Sequence, residues 1–201
     1  MSATVLYMSL SLDGFIAGPN EGPANALGDG GELLHDWLWT DEEHDPDRSR
    51  PMVSTGVNSE VISEFMATGA VVAGRGTFEP ANGWGGDHHD GVPILILSRE
   101  APSIDIDSWP LVTYVDDVDV AFRNAKGAAG DKNVLVHGAA VAQLALTAGI
   151  LDELELHVVP VLLGQGRRLF DNLSPEQIPL ERTRVLLGEG GVTHLHYRVL
   201  H

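Results

Sequence analysis

The pattern of apolar and polar positions changes period several times along this chain, and each period predicts one kind of element. The clearest unit lies within residues 133–170. It opens with a short apolar run at 134–136, which predicts a buried strand because the run is too brief for a helix. The next apolar residues recur at the spacing of one helix face, at Val141, Leu144, Ala145 and Ala148. Gly149 then stands where a left-handed residue would end such a helix.

A second strand is predicted directly after this helix. Apolar residues alternate with other residues through 154–159, which is the two-residue period of a strand. Pro160 has no backbone N–H, so this strand is expected to lie at a sheet edge or to be kinked there. Small residues, Gly138, Ala139 and Ala140, precede the helix. A helix that begins beside small residues leaves its first N–H groups accessible, which suits a phosphate.

The same reasoning predicts elements on both sides of this unit. Further strands are predicted at 5–11, 70–73, 93–97, 111–114, 181–187 and 193–200, and further helices around 33–38, 57–65 and 118–125. Asp29 and Glu32 form a capping-box pattern before the first of these helices. The last two strands are joined by a glycine-rich turn, which is typical of a hairpin. The pattern therefore predicts an α/β three-layer fold with a mixed central sheet and a C-terminal β-hairpin, in a single domain spanning 1–201.

Composition and charge exclude several classes of function. The 201 residues include 29 acidic and 12 basic side chains, a net charge of −17, which disfavours a nucleic-acid partner. The absence of cysteine excludes disulfides, cysteine-ligated zinc and a cysteine nucleophile. No apolar run approaches the roughly 20 residues that would cross a bilayer, so no membrane partner is expected. The N-terminus lacks a basic region and a cleavage motif, which predicts a cytoplasmic protein.

Two polar segments raise the question of a metal site, and none is predicted. The acidic segment 40–51 is interpreted as a solvated loop. His88 and His89 are adjacent, so their side chains are expected to point apart rather than share a metal. Trp84, in the same glycine-rich loop, could line a planar ligand or simply pack.

Arginines follow two separate buried strands in this arginine-poor chain. Arg75 and Thr77 come directly after the strand at 70–73, and Ser98 and Arg99 come after the strand at 93–97. A positive side chain and a hydroxyl near a helix start suit a phosphate. Two strand-end arginines could together bind a phosphate monoester. The alternative is two independent surface arginines.

Several of these segments resemble a known family. VLVHGAAVAQLALTAGILDELELHVVPVLLGQGRRLF, SLDGFIAGPN and GRGTFE are similar to motifs of the dihydrofolate-reductase-like superfamily. The branch they resemble is the C-terminal reductase domain of the riboflavin-pathway deaminase/reductase and its stand-alone bacterial relatives. The resemblance covers nearly all of the chain. One departure is His137-Gly138, where the family usually has two glycines.

The resemblance implies a dihydrofolate-reductase-like fold and hydride transfer from NADPH to a pteridine-, pyrimidine- or related heterocyclic substrate. The protein would supply orientation and a proton route, since the cofactor carries the chemistry. The resemblance places the pyrophosphate near Gly138-Ala139-Ala140 and the adenosine phosphate near Arg75, Thr77 and Arg99. The expected cofactor-binding residues are Ala17, Gly74, Arg75, Thr77, Ser98, Arg99, His137, Gly138, Ala139 and Ala140.

Asp36 is the candidate catalytic residue. It lies beside Trp37 on the flank of an apolar helix stripe, so we expect a half-buried carboxyl with a raised pKa that relays a proton. Asp13 is the rival, but in its turn it is expected to accept hydrogen bonds from backbone N–H groups instead. A folate substrate would use Asp36, whereas a phosphorylated riboflavin-pathway substrate would use Arg167 or Arg168.

Two other functions stay open, together with the oligomeric state. The chain could reduce an unrelated carbonyl or imine with the same cofactor, or it could be a non-catalytic NADP-binding or oligomeric protein. A homodimer is expected because the last strands are long and the HVVPVLL run is more apolar than an edge facing solvent should be. The resemblance implies the same, since stand-alone domains of the family are often dimers.

Overall fold

A computed structural model describes residues 2–22, 24–39, 54–173 and 176–201. Within these ranges the strands are β1 (Thr4–Ser11), β2 (Phe15–Ala17), β3 (Ala70–Gly74), β4 (Ile94–Leu97), β5 (Val112–Val115), β6 (Val134–His137), β7 (Glu153–Val159), β8 (Arg167–Arg168), β9 (Leu180–Leu187) and β10 (Thr193–Val199). The α-helices are α1 (Gly56–Met66), α2 (Arg75–Phe78), α3 (Val118–Ala129) and α4 (Ala139–Thr147). Three 3-10 helices cover Gly31–Leu38, Asn82–Gly86 and Glu189–Gly191. The predicted acidic loop at 40–51 lies outside the described residues.

The central sheet is mixed, as predicted. Its eight strands follow the order β5-β4-β3-β6-β1-β7-β10-β9. The six strands β5, β4, β3, β6, β1 and β7 are parallel to one another. β10 is antiparallel to both β7 and β9, and β9 and β10 form the C-terminal hairpin. β7 therefore lies inside the sheet rather than at its edge. It ends at Val159, so Pro160 follows the ladder and removes no hydrogen bond from it.

Helices cover both faces of the sheet, which confirms the three-layer prediction. Successive residues of β1 pack into different layers, because successive side chains of a strand point to opposite faces. Leu6 packs in the same cluster as Phe122 of α3 and Val141 of α4. Tyr7 points the other way and meets Phe65 of α1, with 5.8 Å between ring centroids.

The predicted capping box at Asp29 and Glu32 is wrong. The 3-10 helix begins after Gly30, whose backbone is left-handed and which makes no side-chain cap. The Asp29 carboxylate instead accepts hydrogen bonds from the side-chain amides of Asn20 (2.6 Å) and Asn25 (2.8 Å). Neighbouring amides therefore compete with the helix end for this carboxylate. By contrast, Gly149 is left-handed after α4 (φ 65°), as predicted.

A buried polar network joins the 3-10 helix and α1 to the sheet. His157 of β7 and His194 of β10 share a hydrogen bond between their Nδ1 atoms (2.9 Å). His194 Nε2 also lies 3.0 Å from Asn58 Oδ1. The Trp37 indole covers this pair, with its ring centroid 4.6 Å from that of His157, and its Nε1 donates to Ser9 Oγ. Burial lowers the pKa of His194 to about 4 and that of His157 well below its usual value, so both rings are neutral near pH 7.

Across the described parts of the chain, no helix is long and apolar enough to cross a bilayer. The cytoplasmic location and the absence of nucleic-acid and membrane partners stay predictions.

Candidate functional site

The carboxyl ends of the parallel strands meet at one edge of the sheet. Gly74, at the end of β3, pairs with Leu97 of β4, and the preceding Ala73 pairs with His137 of β6. The segments that begin at Arg75, Ser98 and Gly138 therefore start from neighbouring strand ends. In α/β sheets of this kind, ligands bind at this edge.

Gly138 and Thr77 are in close contact at the centre of this edge. Gly138 has φ +98°, and a Cβ added there would lie 2.2 Å from Thr77 Oγ1. Only glycine fits such a backbone and such a contact. The Thr77 hydroxyl thus lies against the first turn of α4, where Ala139 is buried and Ala140 is exposed. Free N–H groups at a helix start carry positive charge, so this arrangement, the anion cradle, is chemically suited to hold an anion.

Arg75 contacts the segment after β4 through a carboxylate of that segment. The Arg75 guanidinium is paired with the Glu100 carboxylate. The Ser98 hydroxyl fixes the turn because it donates to the Glu100 carbonyl (2.9 Å) and accepts from the Glu100 N–H (3.1 Å). Arg99 is exposed beside them. A pocket of about 420 Å³ opens here and is lined by Arg75, Gly76, Glu79, Pro80, Asn82, Ser103 and Ile104.

Ala17 borders the same edge through the small β2–β8 ladder. Its side chain is buried, and it pairs with Arg167. A Cβ on Gly166 would lie 2.1 Å from the Ala17 carbonyl oxygen, so only glycine allows the two segments to approach this closely. Arg167 then reaches α2, where its Nη1 donates to the Gly76 carbonyl (3.0 Å), and its Nε pairs with Glu21 (2.8 Å). The sequence offered Arg167 only for a substrate phosphate, and it gave no signal for Glu21.

Asp13 ties two loops together, which confirms the expectation that it bonds backbone N–H groups. Its carboxylate accepts hydrogen bonds from the N–H groups of Leu163 (3.1 Å) and Gly164 (2.8 Å) and from Ser11 Oγ (2.6 Å). The Ser11 hydrogen bond lowers the pKa of Asp13. Arg168 supports the same turn, because it donates to the Asp13 carbonyl. Asp13 is thus a positioning residue for the loop after β1.

The expected half-burial of Asp36 is wrong, because Asp36 is exposed. The helix around it is a 3-10 helix with three residues per turn, so residues three apart share a face. Gly31, Leu34 and Trp37 form the buried face. Leu33, which is 43% exposed, shares the outer face with Asp36. The role of Asp36 in proton transfer stays a prediction, without the burial on which it was based.

His137 contributes its backbone, rather than its side chain, to the start of α4. The His137 side chain lies on the same face of β6 as that of Leu135, which faces the cluster that contains Trp84. Its ring centroid lies 5.8 Å from that of Trp84 and 5.9 Å from that of His88. Burial lowers the pKa of His137 to about 4. The Nδ1 atoms of His88 and His89 lie only 2.8 Å apart, so the expectation that these side chains point apart is wrong.

Trp84 packs into this aromatic cluster, with its ring centroid 5.3 Å from that of Phe78. In the ranges that the structure describes, no group of three His, Cys, Asp or Glu side chains could hold a metal ion.

These features define a class of protein: an α/β protein with the dihydrofolate-reductase-like fold and an anion cradle at the carboxyl ends of its parallel strands. The family model of the RibD C-terminal domain matches residues 4–193. The chain belongs to this family, which confirms the resemblance seen in the sequence. Among curated proteins, no sequence matches the chain significantly.

Solved structures share the fold over the whole chain. A putative riboflavin biosynthesis protein from Shewanella sp. PV-4 is 22% identical, with a TM-score of 0.67 and 99% of each chain covered. A pyrimidine reductase-like protein from Corynebacterium diphtheriae is 14% identical, with a TM-score of 0.60, and the match covers 100% of this chain and 92% of that one. RibD from Acinetobacter baumannii is 16% identical, with a TM-score of 0.60, and the match covers 100% of this chain but 58% of that one.

Proposed function

We propose that this protein is an NADPH-dependent reductase that transfers a hydride to a pyrimidine- or pteridine-like heterocycle of the riboflavin-pathway type. Membership of the RibD C-terminal domain family supports a reductase that uses a nicotinamide cofactor. The observation that carries the proposal is the cradle between Gly138 and Thr77 at the start of α4. A Cβ at Gly138 would overlap the Thr77 hydroxyl, so only glycine keeps this hydroxyl against the start of α4, and a hydroxyl and helix N–H groups are donors that suit a cofactor phosphate. When bound, the cofactor supplies the hydride.

Different residues at the carboxyl ends of the strands would bind different parts of the cofactor. The N–H groups of Ala139 and Ala140 and the Thr77 hydroxyl would bind the pyrophosphate. Arg75 and Arg99 would bind the phosphate on the adenosine ribose, which gives the preference for NADPH. Ala17 lies in the segment after β1 that would cover the nicotinamide. Gly74 and His137 shape the strand ends through their backbone, and Ser98 shapes the turn after β4 through its hydroxyl.

A titration followed by a turnover assay tests the proposal. We expect the pure protein to bind NADPH, and we expect NADPH absorbance to fall when a suitable heterocycle is added. The candidates are a pyrimidine carrying a phosphorylated sugar and, separately, dihydrofolate. A protein that does not bind NADPH would contradict the proposal.

Binding without turnover would favour the second candidate, a non-catalytic NADP-binding protein. One observation favours that candidate: Asp36, the predicted proton donor, is exposed. A fall in NADPH absorbance with an unrelated aldehyde or imine, and with neither heterocycle, would indicate a reductase of another substrate class.

We also propose that the protein is a homodimer that uses the outer part of the β9–β10 hairpin. Side chains directly opposite one another share a face of the sheet, and Val185 pairs with Leu195, which in turn pairs with Leu156. Exposure grows along this row, from 8% at Leu156 to 43% at Val185. Leu187 lies on the same face and is 76% exposed. An apolar stripe at a sheet edge favours association with a second copy.

Replacing Leu187 with lysine is expected to convert the dimer to a monomer, because two lysines would be forced into an apolar interface. Light scattering at micromolar concentration should give about twice 21.5 kDa for the native chain and about 21.5 kDa for the variant. Val120→Lys is the matched control, since Val120 is also an exposed apolar residue but lies on α3. A native chain that is monomeric at these concentrations would contradict the dimer.

A further inference from the structure

Arg167 joins three segments beside the carboxyl ends of the parallel strands. It belongs to β8, it donates from Nη1 to the Gly76 carbonyl of α2 (3.0 Å), and it pairs through Nε with Glu21 (2.8 Å). The pairing of Ala17 with Arg167 fixes where its backbone lies. The guanidinium is therefore held over the first turn of α2 and is not free to move along the surface.

This position is next to the anion cradle. A Cβ on Gly76 would lie 3.3 Å from Arg167 Nη1, and the following residue, Thr77, lies against Gly138. The guanidinium thus lies beside Gly76, one residue from Thr77, whose hydroxyl contacts Gly138 at the start of α4. A planar guanidinium with several N–H donors is the side chain best suited to bind two phosphate oxygens at once.

The present partner of Arg167 is replaceable. The Glu21 side chain is only 18% exposed, and burial raises the pKa of its carboxyl in spite of the nearby guanidinium. The ionised form of Glu21 is therefore poorly stabilised where it lies. A pyrophosphate brings more negative charge and more acceptor oxygens than one half-buried carboxylate, so it is the stronger partner for the guanidinium.

We propose that Arg167 binds the pyrophosphate of the cofactor, and that Glu21 holds the guanidinium in place when no cofactor is bound. This inference rests on the proposed cofactor site and adds a residue to it. It also assigns separate tasks to two arginines: Arg167 recognises the part that NADPH and NADH share, whereas Arg75 recognises the phosphate that only NADPH carries.

Two ligand fragments separate these tasks. ADP-ribose contains the pyrophosphate, whereas adenosine 2′-monophosphate contains only the phosphate that distinguishes NADPH. Arg167→Met is expected to weaken ADP-ribose binding about ten- to a hundredfold, and NADPH and NADH binding to the same extent. The same variant should bind adenosine 2′-monophosphate like the native chain. Isothermal titration calorimetry with each fragment measures these affinities.

Two further variants make the result decisive. Arg123→Met removes an exposed arginine on α3 and should leave every affinity unchanged. Glu21→Gln releases the guanidinium and should tighten ADP-ribose binding several-fold. If Glu21→Gln weakens ADP-ribose binding, or if folded Arg167→Met binds it like the native chain, the role of Arg167 is overturned while the cofactor site stands. If the native chain binds neither ADP-ribose nor NADPH, the proposed function fails as well.

Discussion

Replacing Arg75 and Arg99 together with alanine is expected to weaken NADPH binding by about a hundredfold and to change NADH binding by less than about threefold. The two cofactors differ only in the phosphate on the adenosine ribose, and charge-assisted hydrogen bonds to a phosphate are strong. Glu100 already occupies Arg75, but this ion pair is solvent-screened because the Glu100 side chain is 70% exposed. A phosphate can therefore displace the carboxylate at small cost. Fluorescence titration with each cofactor measures the two affinities.

The first control variant loses the same number of positive charges as the double arginine variant. Arg123 and Lys132 are exposed on α3 and in the turn after it, so replacing both with alanine removes two positive charges away from the edge. This variant should keep the preference of the native chain. Glu100→Gln should strengthen NADPH binding and leave NADH binding unchanged. Equal affinity of the native chain for the two cofactors would show that the strand-end arginines do not recognise the phosphate.

Lowering the pH from 7 to 5 is expected to reduce the free energy of unfolding, by about 2 kcal/mol for His194, and His157 contributes in the same direction. The pKa values of both rings are lowered in the folded protein, to about 4 for His194. Below the unfolded pKa of about 6.5, the unfolded chain therefore takes up protons that the folded chain does not, and stability falls as the pH falls. His196 acts in the opposite direction, since its hydrogen bond to Glu153 raises its pKa, and it offsets part of the loss.

Denaturant unfolding at a series of pH values, at one protein concentration, measures this dependence. In His194→Gln the dependence should be weaker by about 2 kcal/mol over the same range, although the variant is less stable at pH 7 because His157 and Asn58 lose their partner. In His196→Gln the dependence should be steeper. His201→Gln, at the exposed C-terminus, should behave like the native chain. Equal pH dependence in His194→Gln and the native chain would contradict the assignment to this buried pair.

Local patterns in the sequence were enough to predict most of the elements. The unit of β6, α4 and β7 follows from apolar periodicity, and Gly149 has the left-handed backbone that its position predicted. Gly138 was singled out as a small residue before α4, and it lies where a side chain would collide with Thr77. These features depend on a few neighbouring residues and on which of them face the core. Such information is carried by the order of residue types along a short segment.

Apolar periodicity did not predict which face of the helix at 31–38 is buried. A stripe at 33–38 is compatible with either an α-helix or a 3-10 helix over so few residues. The difference of less than one residue per turn decides whether Asp36 lies on the flank or on the outer face. In the structure Leu34 and Trp37 share the buried face of a 3-10 helix, and Asp36 is exposed on its outer face.

Only the tertiary structure decided which charged and polar side chains meet. Arg167 is 91 positions from Gly76, and His194 is 37 positions from His157. These pairs form because of the strand order β5-β4-β3-β6-β1-β7-β10-β9, which brings distant segments to one edge or one face. Apolar periodicity reports whether a residue faces the core, but it does not say which strand lies beside which. The sequence by itself therefore determined the elements and the family, whereas the partners of Arg75, Arg167 and His194 were decided by the packing of the sheet.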